Sequence, residues 1–171
     1  MANVFKYRMG SGFPGTTSRD SRNDIEPQRM SAVLPFDSYG LPGKIVDEAD
    51  GRRFAPIESG DSASDVYGFL VRPYPTQSSD LQPQIGKSAP ATGPYVNYMG
   101  DILRRGFMSV RNNAGSPALN KPVFIRIANG SADRPIGGVE AEAVTDETIE
   151  IKAIFMDEGD ADGNVEIAFN M

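Results

Sequence analysis

The stretch Thr148-Ile-Glu-Ile-Lys-Ala-Ile-Phe155 alternates apolar and polar residues with a period of two. Successive side chains of a β-strand point to opposite faces of a sheet, so this period predicts a strand with one buried and one solvated face. An acidic segment, 157–163, follows it, and Val165-Glu-Ile-Ala-Phe169 then alternates again. Two alternating segments separated by a short polar turn predict an antiparallel hairpin.

Further strands are predicted on the N-terminal side of this hairpin. They are rich in β-branched and aromatic residues and are separated by Gly, Asn, Asp and Pro. They cover 65–72, two pieces within 95–110 of which 102–110 is the stronger, 123–128 leading into the turn dipeptide Asn129-Gly130, and 136–143. Because no amphipathic helix longer than two turns is evident, these short strands predict an all-β, antiparallel sandwich or barrel.

The N-terminal part of the chain has a different character. Residues 10–24 contain almost no apolar side chains, which predicts irregular backbone. We therefore predict a long, irregular, extended N-terminal arm over residues 1–32 and a single β domain over residues 33–171. Five prolines fall between positions 73 and 94, which predicts a Pro-rich loop within that domain.

The composition narrows the chemistry. The 171 residues include no cysteine and no histidine. Disulfides and thiolate metal sites are therefore excluded, and the commonest metal ligand and proton-transfer group is missing. We expect no cofactor, no metal, no catalytic residues and no enzymatic activity. The sequence shows no segment typical of a signal peptide or a membrane span, so we expect synthesis in a cytoplasm and no membrane partner.

The net charge of −6 is concentrated in the last part of the chain. Residues 131–171 hold two basic and eleven acidic side chains, a net charge of 2 − 11 = −9. Such a surface would repel a phosphate backbone, so we expect no nucleic-acid partner. The acidity favours an ordinary solvated surface, with a docking face for a basic partner as the alternative.

Three motifs suggest chemistry but favour a structural interpretation. Gly10-Ser-Gly-Phe-Pro-Gly15 matches the dinucleotide-binding pattern, yet no buried strand precedes it and no apolar helix follows. Residues 158–163 resemble the start of a calcium loop, but Phe169 stands where a bidentate glutamate is needed. A tight acidic turn is the better interpretation, and a weak cation site there stays open.

Paired carboxylates and paired arginines are the remaining candidates. Glu140 and Glu142 would share one face of a strand and could supply acid–base chemistry, although a solvent face explains them more simply. Arg104 and Arg105 could form part of a basic patch. In an acidic chain such a pair is more often a donor of salt bridges.

Four segments in the C-terminal half resemble a known family. They are Asp101-Ile-Leu-Arg-Arg-Gly-Phe-Met-Ser-Val110, Lys121-Pro-Val-Phe-Ile-Arg-Ile127, Arg134-Pro-Ile-Gly-Gly-Val139 and Asp162-Gly-Asn-Val-Glu-Ile-Ala-Phe-Asn170. Their order and spacing resemble the structural cement, or capsid decoration, proteins of tailed bacteriophages. The resemblance covers residues 95–171 well and the first half only loosely.

This resemblance implies a jelly-roll-like β domain on the outer surface of a phage capsid. Its expected partners are the major capsid protein and further copies of itself, as a homodimer or another small homo-oligomer. The virion would then be its location, after synthesis in the host cytoplasm. A small β-sandwich module that binds a ligand or glycan on a phage or bacterial surface is the alternative function, and a hydrolase that uses carboxylates is a third.

The N-terminal arm supplies the candidate interface residues. Aromatic rings can anchor an arm on a neighbouring chain, and arginines can donate hydrogen bonds to it. The candidates are Phe5, Tyr7, Phe13, Arg19, Arg22 and Arg29.

Overall fold

The computed structural model of the chain describes residues 11–73 and 98–171. The strands are β1 (Thr17–Ser18), β2 (Asp24–Arg29), β3 (Pro42–Glu48), β4 (Gly51–Pro56), β5 (Gly68–Leu70), β6 (Met99–Arg111), β7 (Pro122–Arg126), β8 (Val139–Glu140), β9 (Thr148–Phe155) and β10 (Asn164–Phe169), and one short 3-10 helix spans Asp20–Arg22. None of the helical structure in these two ranges is long and apolar enough to cross a membrane.

The ten strands form one antiparallel sheet that curls into a half-barrel. Its order is β4-β3-β5-β6-β10-β9-β7-β8, and β1 and β2 also pair with β6. The prediction of an all-β, antiparallel, jelly-roll-like fold is therefore confirmed. Sequence neighbours such as β3 and β4 or β9 and β10 pair directly, because short polar turns connect them.

The C-terminal hairpin is the one that the sequence pattern predicts. In the β9–β10 ladder, Ile167 lies opposite Phe155 and Phe169 lies opposite Ala153. All four side chains are buried, whereas Lys152 and Ile154, which alternate with the buried residues of β9, are exposed. The period of two therefore describes one core face and one outer face, as expected for an antiparallel sheet.

Strand β6 organises the sheet because it is long and has different partners along its length. Its first half pairs with β2 and β5, and its second half pairs with β1 and β10. Gly106 separates the two halves and has a φ of +131°, a backbone conformation that residues other than glycine rarely adopt. The glycine therefore lets one strand serve both halves of the half-barrel.

Two hydrophobic cores lie on opposite faces of the central strands. The larger contains Phe69 and Leu103, and the smaller contains the adjacent residues Leu70 and Ile102. Neighbouring residues of a strand point to opposite faces, so β5 is buried on both of its faces. This explains why Gly68-Phe-Leu70 is a continuous apolar run and not an alternating one.

The described part of the predicted arm is more regular than expected. Strands β1 and β2 both lie within residues 1–32 and pair with β6. Pro27 fits in β2 because that strand is at an edge. The backbone N–H of Met30 donates to Tyr98 of the β6 side, so by alternation the nitrogen of Pro27 faces away from β6. The division at residue 32 stays a prediction, and the predicted Pro-rich loop lies, apart from Pro73, outside the described residues.

The connection between β7 and β8 is longer than the sequence predicts. Asn129-Gly130 was predicted to form a tight hairpin turn, but the connection runs from 127 to 138 and only Val139–Glu140 of the expected strand 136–143 pairs with β7. Arg134 in this connection bonds to Glu140. These bonds hold a longer loop against the sheet. The turn preference of the dipeptide Asn129-Gly130 does not predict such a loop.

Candidate binding surface

The N-terminal segment makes a tight turn at Gly15, in which the N–H of Thr16 donates to the carbonyl of Phe13 (3.0 Å). The N–H of Gly15 donates to the carbonyl of Ser109 (2.8 Å), and the carbonyl of Gly15 accepts from the N–H of Arg72 (2.8 Å). A Cβ at this position would lie 2.7 Å from Cβ of Tyr39, so only glycine allows this approach. The glycines that matched a dinucleotide motif thus include one that lets two backbone segments meet.

Phe13 lies in this segment, two residues before the hydrogen-bonded Gly15. Its side chain is 70% exposed, although the guanidinium carbon of Arg72 lies 5.9 Å from its ring centroid. Arg72 also lies 4.9 Å from the ring centroid of Tyr39, and its Nε donates to the carbonyl of Pro14 (3.0 Å). An exposed aromatic ring on a fixed backbone is a preorganised contact residue, because little conformational freedom remains to be lost on binding.

Arg19 has a role inside the fold. Its guanidinium carbon lies 4.2 Å from the ring centroid of Phe107, and its Nη2 lies 2.8 Å from Oε2 of Glu166. The hydroxyl of Ser18 donates to the other oxygen of the same carboxylate. Arg19 therefore covers an aromatic ring on the outer face of the sheet while roughly half of its side chain remains exposed.

The other two candidate arginines are also at the surface. Arg22 ends the 3-10 helix and is exposed. Arg29 ends β2 and lies 3.7 Å from a carboxylate oxygen of Asp50. Phe13, Arg19, Arg22 and Arg29 are thus all exposed on the segment that contains β1 and β2, the strands that pair with β6. Phe5 and Tyr7 lie outside the described residues.

A groove opens next to this segment. It has a volume of about 360 Å³ and is lined by residues from 37–41, 111–113 and 132–136. Tyr39 lines the groove and also takes part in the stack with Arg72, so we call it the Tyr39 groove. Sequence reasoning did not find it, because its three lining segments are far apart in the chain.

A buried ion pair joins β7 to β8. Glu140 is fully buried, and its carboxylate accepts hydrogen bonds from Nε of Arg126 (2.5 Å) and Nη2 of Arg134 (2.5 Å). Arg126, itself buried, also donates to Glu147 (2.7 Å). Glu142 shares the Nη2 of Arg134 at 3.2 Å. The paired carboxylates of the sequence are therefore acceptors in an ion-pair network.

Two further candidates also have structural roles. In the acidic turn, the Asp160 carboxylate accepts backbone N–H groups of Ser11 (3.0 Å), Asp162 (3.0 Å) and Asn164 (2.8 Å). Arg104 pairs with Glu26 at 3.6 Å, as a salt-bridge donor would. Within residues 11–73 and 98–171, no group of three or more acidic side chains is placed to hold a metal ion.

A comparison with protein families assigns the chain. The family model described as "XM1 gp53 minor capsid protein" matches residues 1–169. The chain belongs to this minor capsid protein family. The prediction of a structural, capsid-associated protein of a bacteriophage is thereby confirmed.

Solved structures support the same fold for this minor capsid protein. A chain from "The capsid of Myoviridae Phage XM1" superposes with a TM-score of 0.65 at 14% sequence identity, over 99% of this chain and 97% of that chain. At this identity the likeness concerns the fold. No curated protein matches the sequence.

Three carboxylates with lowered pKa values, Glu140, Glu147 and Asp160, predict how the stability of the fold depends on pH. Burial disfavours the charged form of Glu140, but hydrogen bonds from Arg134 and Arg126 outweigh it and lower the pKa below its ordinary value of 4.5. The pKa of Glu147 is lowered mainly by the hydrogen bond from Arg126. At Asp160 burial is again outweighed, by backbone N–H groups, and the pKa falls below 3.8.

We therefore expect acid to destabilise the fold. The unfolded chain takes up protons at the ordinary carboxyl pKa values, whereas the folded chain resists until lower pH. The stabilisation is thus complete above about pH 5 and is lost progressively as the pH falls through the lowered values. Because the chain has no histidine, the unfolding midpoint in urea should stay nearly constant from pH 6 to 9. A marked loss of stability between pH 8 and 6 would contradict this account.

Proposed function

We propose that this protein is a cement, or decoration, protein that binds the outside of the capsid and stabilises contacts between subunits of the major capsid protein. The observation that supports this most directly is the exposed ring of Phe13 on a backbone segment that hydrogen bonds fix on both sides. Within a minor capsid protein family, such a residue is a natural contact with a neighbouring chain. Arg22 and Arg29 are further exposed side chains of the same N-terminal segment.

The proposed mechanism is binding without catalysis. A protein that binds only the assembled shell stabilises it by mass action, in proportion to its occupancy. Many copies bound as dimers or other small homo-oligomers would add avidity to each contact. The ion-paired state of Glu140 and Glu142 also favours a structural role over acid–base chemistry.

The proposal can be tested with heads that lack this protein. We expect the purified full-length chain to bind them saturably and to raise their melting temperature, while free major capsid protein shows little binding. Electron microscopy of the decorated heads should place the added density on the outer surface. Failure to bind heads, together with binding to a glycan array, would instead support the alternative module.

Phe13→Ala should weaken attachment to heads by about 30-fold, the effect of a residue that contributes about 2 kcal/mol of binding free energy. Val33→Ala is the matched control, because Val33 is the same kind of exposed apolar residue, at 75%, in another loop. We expect that variant to bind within about twofold of wild type. Attachment can be measured by cosedimentation over a protein titration. Equal effects of the two substitutions on attachment would show that Phe13 is not a specific contact of the interface.

A further inference from the structure

Arg72 is a partly buried cation that has no anion beside it. Within the described residues its guanidinium forms no ion pair, and it donates one hydrogen bond, from Nε to the carbonyl of Pro14 (3.0 Å). The other arginines of these residues that form no ion pair are all exposed, namely Arg22, Arg105 and Arg111. Partial burial removes part of the hydration of a charge, so Arg72 is the arginine for which an external anion would matter most.

The guanidinium of Arg72 is held in place while its outer edge stays open. Its central carbon lies 4.9 Å from the ring centroid of Tyr39 and 5.9 Å from that of Phe13. The bond from Nε fixes the inner edge of the plane and leaves the N–H donors of Nη1 and Nη2 unused. Neither nitrogen is among the buried unpartnered polar atoms of the described residues, so both are open to solvent.

We propose that Arg72 binds a carboxylate side chain of the capsid shell protein. Nη1 and Nη2 lie side by side in a planar fork, and their parallel N–H donors match the two oxygens of one carboxylate. The carboxylate supplies the missing anion, while apolar atoms next to it in the partner pack on the exposed ring of Phe13. Because the fork is already held by two rings and Pro14, little conformational freedom is lost on binding.

This inference rests on the proposed function and names the chemical group that the surface around Phe13 recognises. Its first test separates an ion pair from mere support of Phe13. Arg72→Gln should weaken attachment of the full-length protein to heads by roughly tenfold or more, because a hydrogen-bonded charge pair is lost. It should also flatten the dependence of attachment on salt, since salt screens that pair. Phe13→Ala removes no charge and should leave the salt dependence unchanged.

These two variants decide between the roles of Arg72. If Arg72 only supports Phe13, Arg72→Gln will leave the salt dependence as it is in wild type, and the proposal is overturned. Arg105→Gln is the matched control, because Arg105 also forms no ion pair but is exposed on β6. It should bind within about twofold of wild type. Unfolding midpoints in urea check that both glutamine variants are folded.

The second test identifies the partner group and does not depend on the folding of Arg72→Gln. Arg72→Lys keeps the positive charge and introduces an amine, which carbodiimide joins to a carboxylate in direct contact. Decorated heads of this variant should yield a link between position 72 and an aspartate or glutamate of the shell protein, as read by mass spectrometry. Wild type is the control, because a guanidinium does not form this link.

The outcomes separate this inference from the proposed function. A link from position 72 only to carboxylates of this chain, in the same or another copy, would overturn the inference, as would the absence of any link on heads that bind the Arg72→Lys variant. If wild type binds heads and Arg72→Gln binds equally well, the inference fails alone. If wild type does not bind heads, the proposed function fails as well.

Discussion

Replacing Glu140 with glutamine should lower the free energy of unfolding by about 3 kcal/mol, because removing one charge of a buried pair leaves the other uncompensated. Two guanidinium groups, from Arg126 and Arg134, would lose their shared anion, and Arg126 is buried. Glu147 would remain as a partner of Arg126, which places the expected loss at the lower end of the range for buried pairs. Urea unfolding of the full-length protein measures the change directly.

The control for this prediction lies two residues away. Glu142 contacts the same Arg134, but about half of its side chain is exposed, so Glu142→Gln should cause a much smaller loss. The double variant Glu140→Leu with Arg126→Met should be more stable than Glu140→Leu alone, because no unpaired charge remains buried at β7. A loss from Glu140→Gln no larger than that from Glu142→Gln would show that the pair contributes little to stability.

The strands that bury one face are predictable from the sequence, and those that bury almost nothing are not. Strands β9 and β10 alternate because water and the core select different residues on their two faces. Strand β2 has no such pattern, since five of its six residues are polar or proline and none is buried. It forms because β6 offers an unpaired edge, and that edge exists only after the rest of the sheet is assembled.

The candidate surface shows the same division. Composition was enough to single out Phe13 and Arg19, because few other residues in the segment could make strong contacts. It could not show that Arg19 forms an ion pair with Glu166, or that Arg72, from a distant position in the chain, lies near the rings of both Phe13 and Tyr39. The sequence likewise predicted that Glu140 faces solvent. Its burial depends on two arginines whose approach is a property of the folded loop 127–138.

Gly106→Ala should be strongly destabilising, by about 3 kcal/mol, for two separable reasons. First, the φ of +131° is strained for any residue with a Cβ, which costs on the order of 1–3 kcal/mol. Second, that Cβ would meet Oδ1 of Asn23 at 2.1 Å and its Cα at 2.8 Å. Asn23 must then move, and its hydrogen bond from the N–H of Phe107 (2.8 Å) would be lost, at a cost of about 1 kcal/mol.

Gly51 makes the two contributions measurable. Its φ is +117°, close to that of Gly106, but a Cβ there would meet nothing within 4 Å. Gly51→Ala should therefore report the backbone strain alone, and the additional loss in Gly106→Ala should report the contact with Asn23. Asn23 also donates to the carbonyl of Ser18 (2.8 Å), so the contact at Gly106 holds the segment that carries Arg19 and Arg22. Gly106→Ala should accordingly weaken attachment to heads as well as stability, whereas Gly51→Ala should affect stability only. Equal losses of stability in the two variants would mean that Asn23 does not fix this segment to β6.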